Sequence, residues 1–351
     1  MSGMISLAKA YEKYFKIGAA VSSVGIGVYK ELLGQHFNSV TPENELKYTS
    51  TEPEEGNFTF DEADMIFNGA RELGIKVRAH APVWHAQTPD WIFQHGGKPA
   101  APELIYERIA AHTKALCERY NDDVYAWDVV NEATCDEPNE LSDTYRDSEY
   151  FKLCGEGFIE AAFKAMDKYS PNAQLFYNDY SECIPAKRER IVRLIRTLQE
   201  KGCRVDGMGM QQHHFAAPDY DEIKRSIEVY AGLGLRIHIT ELDVSLMATL
   251  NHGIKRLKPG EAGFEEYVRQ ATHASPERLE MISDIYIKLF EIYRSYRDVI
   301  DCVTTWGVAD DMTWLDDFGT DKHLPKFKQY PLMFDTQHKP KNCVFRLAES
   351  V

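Results

Sequence analysis

The sequence has 351 residues, of which 44% are hydrophobic, enough to bury one large core. Its formal net charge of −15 repels phosphate groups, which argues against a nucleic-acid partner. No apolar run approaches the roughly 20 residues that a membrane-spanning helix needs, so no membrane partner is expected.

Two features of the sequence indicate the cellular compartment of the protein. The first 20 residues show no basic segment followed by an apolar one, so no secretory signal is predicted. The seven cysteines are irregularly spaced without a C-x-x-C pair, which favours reduced thiols over a disulfide framework or a zinc site. Both features predict a cytoplasmic protein, although a secreted chain whose leader had been removed would look the same.

Short β-rich runs alternate with longer segments of helical periodicity. Strands are predicted over residues 15–22, 36–43, 75–84, 124–131, 173–179, 205–214, 235–242 and 302–308. Helices are predicted over residues 61–74, 102–121, 148–169, 185–202, 219–234 and 276–298. The alternation predicts an α/β fold, a (β/α)8 TIM barrel that forms a single domain over residues 1–351. A doubly wound open sheet is the alternative, but no G-x-G-x-x-G turn follows the first strand.

Polar and aromatic residues gather at the carboxyl ends of the predicted strands, where the active sites of such barrels lie. Glu132 ends the fourth strand and Glu241 ends the seventh. A single glutamate there is usually just a solvated residue, but cleavage of a glycosidic bond needs two carboxyl groups that flank it. Because Trp, His, Asn and Gln residues accompany both glutamates, the pattern favours a catalytic pair. His213 and His214 lack a third ligand at suitable spacing, so no metal and no cofactor are predicted.

Seven segments follow one another along the chain at the predicted strand ends: TPENELKY (41–48), RAHAPVWHAQTPDW (78–91), WDVVNE (127–132), FYNDY (176–180), DGMGMQQHH (206–214), HITELDV (238–244) and TWGVADDMTWL (305–315). In their order and spacing, and from about Phe15 to about Pro340, the chain resembles the xylanases of glycoside hydrolase family 10. The resemblance implies a retaining endo-β-1,4-xylanase that hydrolyses internal bonds of xylan and xylo-oligosaccharides by double displacement.

The resemblance also implies roles for individual residues. Glu132 would be the general acid/base and Glu241 the nucleophile, with His213 and Asp243 holding the Glu241 carboxylate ionised and oriented. Repulsion from the Glu241 anion would raise the pKa of Glu132. The implied substrate-binding residues are Glu43, Asn44, Lys47, His80, Trp84 and Gln87 on the glycone side, His85, Asn131, Gln211, His213, Trp306 and Trp314 around the reacting sugar, and Tyr180 on the aglycone side.

Two other functions stay open at this point. One is a related barrel β-glycosidase with a different sugar preference, such as a β-glucanase. The other is a catalytically inactive barrel that binds sugar, which the presence of both glutamates disfavours. Without the resemblance, Trp84, Trp306 and Trp314 would be predicted as core aromatics. Residues 245–275 are predicted to form a long polar connection, and the sequence predicts no oligomeric state.

Overall fold

The computed structural model describes residues 5–250, 256–318 and 322–351. We number its barrel strands β1 (Lys16–Val21), β2 (Ser39–Pro42), β3 (Lys76–Trp84), β4 (Val124–Asn131), β5 (Gln174–Asp179), β6 (Gly207–Met210), β7 (Arg236–Val244) and β8 (Ile300–Thr305). Each strand pairs in parallel with the next one along the chain. β8 also pairs with β1, with Lys16 opposite Cys302, and this pairing closes the sheet. The predicted (β/α)8 barrel is therefore confirmed.

Helices precede the first strand, connect the strands and follow the last one. They are α1 (Leu7–Ala10), α2 (Gly25–Val28), α3 (Lys30–His36), α4 (Tyr48–Thr51), α5 (Asp61–Leu73), α6 (Pro102–Tyr120), α7 (Glu149–Cys154), α8 (Gly157–Tyr169), α9 (Pro185–Glu200), α10 (Tyr220–Ala231), α11 (Phe264–Thr272), α12 (Pro276–Ser295) and α13 (Asn342–Glu349). Short 3-10 turns cover Asp90–Phe93, Leu246–Thr249 and Trp314–Asp316, and a two-residue strand, His213–His214, lies beside the end of β7. No helix of the described ranges is long and apolar enough to cross a membrane.

Two sequence predictions need correction. The single helix predicted over residues 148–169 is split into α7 and α8, because Gly155 adopts a φ of 56° that a continuous helix does not allow. The connection over residues 245–275 is not uniformly polar. It begins with the buried turn Leu246–Thr249, and α11 packs Tyr267 and Ala271 against Met247. Residues 251–255 of this connection lie outside the described residues.

The interior of the barrel contains a buried ionic network below the strand ends. The guanidinium of Arg78 pairs with both carboxylate oxygens of Asp128, and neither side chain is exposed. The Arg78 Nε donates to Nδ1 of His238 at 3.0 Å. Asp128 also binds Nδ1 of His80 at 2.9 Å. Since a buried charge is tolerated only when it is paired, this network holds β3, β4 and β7 in one arrangement and orients His80 toward the open end of the barrel.

Candidate active site

A cleft of about 670 Å³ opens at the carboxyl ends of the strands. The residues predicted from the sequence that line it are Glu43, Asn44, Lys47, His80, Trp84, His85, Gln87, Asn131, Glu132, Tyr180, Gln211, His213, Glu241, Trp306 and Trp314. Asp243 is buried behind His213 and does not line the cleft. The structure therefore brings together residues that are up to 271 positions apart in the sequence (Glu43 and Trp314).

Glu132 lies directly after β4 in a left-handed backbone conformation, with a φ of 57°. Two contacts hold this conformation: the Glu132 N–H donates to the Asn178 carbonyl at 2.9 Å, and Arg146 Nε donates to the Glu132 carbonyl at 2.9 Å. Trp84 Nε1 donates to Oε2 of Glu132 at 2.9 Å, while Gln211 Nε2 donates to Oε1 at 3.0 Å. Hydrogen bonds therefore hold Glu132 both at its backbone and at the two oxygens of its carboxyl group.

Glu241 lies within β7 and is held by β5 and by the segment after β6. Asn178 Nδ2 donates to its Oε1 at 2.7 Å, and His213 Nε2 is 3.2 Å from its Oε2. The other ring nitrogen of His213 is 2.9 Å from Asp243. Burial alone would lower the pKa of His213, but Asp243 and Glu241 raise it to about 10. At neutral pH His213 is therefore a cation that donates to both carboxylates.

The two glutamates differ in their electrostatic surroundings. Burial raises the pKa of Glu132, and the charges of Asp179 and Glu241 raise it further against the hydrogen bonds from Gln211 and Trp84. Burial acts in the same direction on Glu241, but the hydrogen bond and charge of His213 lower the pKa of Glu241 below its usual range. The predicted repulsion from Glu241 therefore contributes to the raised pKa of Glu132, but burial is the larger cause.

Three amide side chains connect the two carboxyl groups. Gln211 Nε2 contacts Glu132 Oε1 at 3.0 Å and Asn131 Oδ1 at 3.3 Å. Asn178 Nδ2 in turn contacts Asn131 Oδ1 at 2.8 Å and Glu241 Oε1 at 2.7 Å. Gly209 leaves space for these three amide side chains, because a methyl group at its Cα would overlap Oδ1 of Asn178. Gly209 of β6 therefore permits the amide bridge, by which we mean the side chains of Gln211, Asn131 and Asn178 between the two carboxyl groups.

One wall of the cleft comes from the segments after β2 and β3. Lys47 Nζ donates to Asn44 Oδ1 at 3.1 Å and lies 4.6 Å from the ring centroid of Trp84. Gln87 Nε2 approaches the same Asn44 oxygen at 3.4 Å. Burial raises the pKa of Glu43 and lowers that of Lys47. These closely spaced donors and acceptors suit a ligand with several hydroxyl groups.

The adjoining wall comes from the segments after β4 and β5. The Tyr180 hydroxyl donates to Asp136 at 2.5 Å and accepts from Arg146 at 2.7 Å. Lys187, which is buried, lies 4.5 Å from the Tyr180 ring centroid and donates to Asp136 at 3.0 Å. His85 also lines the cleft, and its pKa is lowered to about 4 by burial and by the nearby cations, so it is neutral at pH 7.

Trp306 and Trp314 are packed, but they also form part of the cleft surface. Trp306 is only 7% exposed and its ring lies 5.2 Å from that of His80. Trp314 donates from Nε1 to Asp243 at 2.8 Å. Both side chains therefore act as supports for site residues and as walls of the cleft.

The structure adds residues that the sequence analysis missed. Arg146, Ser181, Phe215 and Phe318 also line the cleft. Ser181 and Phe215 directly follow the segments FYNDY and DGMGMQQHH, so their position could have drawn attention to them. Arg146 and Phe318 lie in loops without any such signal. Within the described ranges, no group of three or more His, Cys, Asp or Glu residues is arranged to hold a metal ion.

The model of glycosyl hydrolase family 10 matches residues 6–350 of the chain. The chain belongs to this family. It is 41% identical to an endo-1,4-beta-xylanase A of Caldicellulosiruptor saccharolyticus, over 98% of this chain and 95% of that protein. It is 40% identical to an endo-1,4-beta-xylanase of Geobacillus stearothermophilus, over 99% of this chain and 98% of that protein.

Solved structures of family 10 members have the same architecture. Xylanase XynB from Paenibacillus barcinonensis, crystallised with a conduramine derivative, aligns with a TM-score of 0.86 and 39% identity, and the alignment covers 99% of each chain. An endo-1,4-beta-xylanase from Caldicellulosiruptor owensensis aligns with a TM-score of 0.85 at 39% identity, over 98% of this chain and 99% of that one. The family 10 fold thus extends over nearly the whole chain.

Proposed function

We propose that this family 10 protein is a retaining endo-β-1,4-xylanase that hydrolyses internal β-1,4-xylosidic bonds of xylan and xylo-oligosaccharides. The observation that carries the proposal is the contrast between two glutamates in one cleft. Burial raises the pKa of Glu132, whereas His213 lowers that of Glu241. Two carboxyl groups whose surroundings shift their pKa values in opposite directions are suited to act as acid and nucleophile.

In the first step, Glu132 donates its proton to the glycosidic oxygen while the Glu241 carboxylate attacks the anomeric carbon. The leaving sugar departs as an alcohol, and the glycone is left as an ester of Glu241. In the second step, the Glu132 carboxylate accepts a proton from a water molecule, which attacks the same carbon and breaks the ester. Glu132 is protonated again, Glu241 is a carboxylate again, and the configuration is retained after two inversions.

The other cleft residues support this reaction through binding and orientation. His213 keeps Glu241 ionised, with Asp243 behind it as a second anion. Asn131 would bind the 2-hydroxyl of the reacting sugar, a contact that strengthens in the transition state. We assign the glycone to the wall with Glu43, Asn44, Lys47 and Gln87, and the aglycone to the wall with Tyr180.

Product analysis on xylotetraose and on polymeric xylan tests this function. Mass spectrometry should find shorter xylo-oligosaccharides, and NMR at early times should find the β anomer of the new reducing end. Cellotetraose, run in parallel, should be hydrolysed far more slowly. An initial α anomer would exclude retention, and faster hydrolysis of cellotetraose would favour a β-glucanase. In a crystal structure, the carboxyl groups of Glu132 and Glu241 should be about 5–5.5 Å apart, as retention requires.

We place the enzyme in the reducing cytoplasm, where it would act on soluble oligomers. All seven cysteines are described and none forms a disulfide. Titration of the purified protein under denaturing, non-reducing conditions should therefore find seven free thiols. Protected thiols, or faster hydrolysis of insoluble xylan than of xylotetraose, would contradict this placement.

A further inference from the structure

Directly after β6, the chain supports both glutamates of the cleft through two residues that are separated by one. Gln211 Nε2 donates to Glu132 at 3.0 Å, and His213 Nε2 lies 3.2 Å from Glu241. The residue between them is Gln212, which is only 4% exposed and does not line the catalytic cleft. The middle side chain of this segment is therefore buried, while its two neighbours hold the carboxyl groups.

The backbone of Gln212 is left-handed, with a φ of 58°. This conformation is uncommon for a residue other than glycine and persists where the surrounding contacts determine it. It lies between β6 and the two-residue strand His213–His214, which pairs with the end of β7. At this turn the side chains of Gln211 and His213 diverge toward two different carboxyl groups. Contacts that hold Gln212 in this conformation therefore also fix where its neighbours point.

The side-chain amide of Gln212 is held at both of its ends. Its Nε2 donates to Oε1 of Glu182 and lies 3.1 Å from Sγ of Cys183. Its Oε1 accepts from the hydroxyl group of Tyr293 at 3.1 Å. A reversed amide would place its oxygen against the carboxyl group of Glu182, so only one orientation satisfies both partners. The anchors come from two separate parts of the chain, the segment after β5 and the helix α12.

These anchors are themselves buried and fixed. Tyr293 is fully buried and Glu182 is 2% exposed. The Glu182 carbonyl accepts from the hydroxyl groups of Tyr230 at 2.9 Å and Ser226 at 3.3 Å. Burial raises the pKa of Glu182 to about 7. The amide of Gln212 can donate to either form of this carboxyl group, since a protonated carboxyl keeps an oxygen that accepts.

We propose that Gln212 is a positioning residue, whose hydrogen bonds with Glu182 and Tyr293 keep its two neighbours in contact with the acid/base and the nucleophile. The inference rests on the proposed xylanase function and adds to it a support that the two steps of the reaction share. Gln212 acts through its neighbours and does not itself touch the sugar.

Loss of this anchor should raise the pKa of both glutamates of the cleft. The hydrogen bond from Gln211 lowers the pKa of Glu132, and His213 lowers that of Glu241. Glu241 must be ionised, so a higher pKa moves the acid limb of kcat/KM to higher pH. Glu132 must be protonated, so a higher pKa moves the alkaline limb in the same direction. A residue that only fills the core would lower stability without moving either limb.

Two variants, Gln212→Met and Tyr293→Phe, test the proposal on xylotetraose, whose leaving sugar needs protonation. Methionine has about the length of glutamine without its amide, and phenylalanine lacks only the hydroxyl group. Gln212→Met should move both limbs to higher pH and lower kcat by up to about 10²-fold, as expected for a displacement of about 1 Å. Tyr293→Phe should shift both limbs in the same direction by less, and it keeps the test available if Gln212→Met does not fold.

The conservative replacement of Glu182 gives a second readout. Glu182→Leu removes the acceptor and should repeat the shifts of Gln212→Met. Glu182→Gln keeps an oxygen that accepts from Gln212 and should restore most of the wild-type pH profile. Equal shifts in both variants of Glu182 would mean that the hydrogen bond to Gln212 is not what matters, which contradicts the proposal.

Tyr120→Phe is the matched control. Tyr120 is also fully buried on a helix, and its hydroxyl group donates to a side-chain oxygen, Oδ1 of Asp64, at 2.9 Å. Neither residue lines the cleft. This variant should lose stability in urea unfolding while both limbs stay in place. Unmoved limbs in the folded variants of Gln212 and Tyr293, or equal shifts in Tyr120→Phe, would overturn the positioning role. The proposed function fails instead if the wild-type protein does not hydrolyse xylotetraose.

Discussion

At the scale of single residues, the surroundings of a carboxyl group decide its chemical role. Glu132 and Glu241 have the same side chain and line the same cleft. The difference comes from their neighbours: neutral Trp84 and Gln211 at Glu132, and the cationic His213 at Glu241. The neutral donors offset only part of the rise in pKa that burial causes at Glu132. The cationic His213, in contrast, helps to lower the pKa of Glu241 below its usual range despite burial.

Removal of each glutamate should produce a different kinetic defect. Glu241→Ala should abolish turnover of every glycoside, because no covalent intermediate forms. Glu132→Ala should still form the intermediate from an aryl xylobioside whose leaving group needs no protonation. Its breakdown should then slow by about 10²- to 10⁴-fold without the general base. Added azide should restore turnover of Glu132→Ala and yield a β-glycosyl azide, which NMR identifies.

The opposite pattern would assign the roles the other way round. If azide rescues Glu241→Ala to a β-glycosyl azide and leaves Glu132→Ala inactive, then Glu132 is the nucleophile. Equal inactivation of both variants toward the activated aryl xylobioside, without rescue of either, would mean that the two residues do not share the reaction as proposed.

The hydrogen bond from Trp84 to Glu132 should be visible in the pH profile. Trp84 Nε1 donates to Oε2 of Glu132 at 2.9 Å and lowers the pKa of that carboxyl. Trp84→Phe keeps an aromatic ring but removes the donor, so the pKa of Glu132 should rise. Since the acid must be protonated, the alkaline limb of kcat/KM should move to higher pH. A change of KM with an unmoved alkaline limb would show that Trp84 acts only in sugar binding.

At the scale of elements, the strand ends were more predictable than the loops. Each predicted strand overlaps an observed one, because buried parallel strands carry continuous apolar runs. The site residues at those ends were predicted through the family resemblance, and all of them line the cleft except Asp243, which is buried behind His213. The split between α7 and α8 depends on the positive φ of Gly155, which helical periodicity does not reveal. Arg146 and Phe318 reach the cleft through loop conformations, which no local pattern encodes.

The glycine of β6 offers a test of how one strand supports the chemistry. In Gly209→Ala, the new methyl group would lie 3.0 Å from Thr240 Cγ2 and overlap the Asn178 amide oxygen. Asn178 would have to move away from Asn131 and Glu241, and a displacement of about 1 Å can cost roughly 10²-fold in rate. We therefore expect kcat to fall by about 10²-fold, together with a loss of roughly 1–3 kcal/mol of stability from overpacking.

Gly18→Ala is the matched control for overpacking of a barrel strand. A methyl group at Gly18 would lie 2.6 Å from Thr304 Oγ1, and neither residue contacts Glu132 or Glu241 in the site. This variant should lose stability in urea unfolding but keep its kcat. If both variants lose the same factor in kcat, the effect belongs to the barrel in general and not to the amide bridge.

At the scale of the whole molecule, closure of the barrel unites stability and catalysis. Because the sheet is closed, residues that follow β2 and β6 face each other across one cleft, and no strand edge is left open in the barrel. The same closure encloses Arg78 and Asp128 without exposure to solvent. The network that neutralises these two charges also holds His80, which lines the cleft. The core and the site therefore share one set of hydrogen bonds.

Separate replacement of the two partners should distinguish the structural part of this network from the catalytic part. Arg78→Met leaves the Asp128 carboxylate buried with His80 alone, and the loss of one partner of a buried pair typically costs about 3–5 kcal/mol. Urea unfolding at pH 7 should show a loss of this size.

The double variant Arg78→Met with Asp128→Leu removes both charges and should recover most of that stability, since apolar replacement of a whole buried pair is often neutral. Its kcat/KM should nevertheless stay low, because His80 has lost the carboxylate that orients it. If the double variant is as unstable as Arg78→Met, the pair contributes through packing rather than charge, and if it recovers full activity, Asp128 does not position His80.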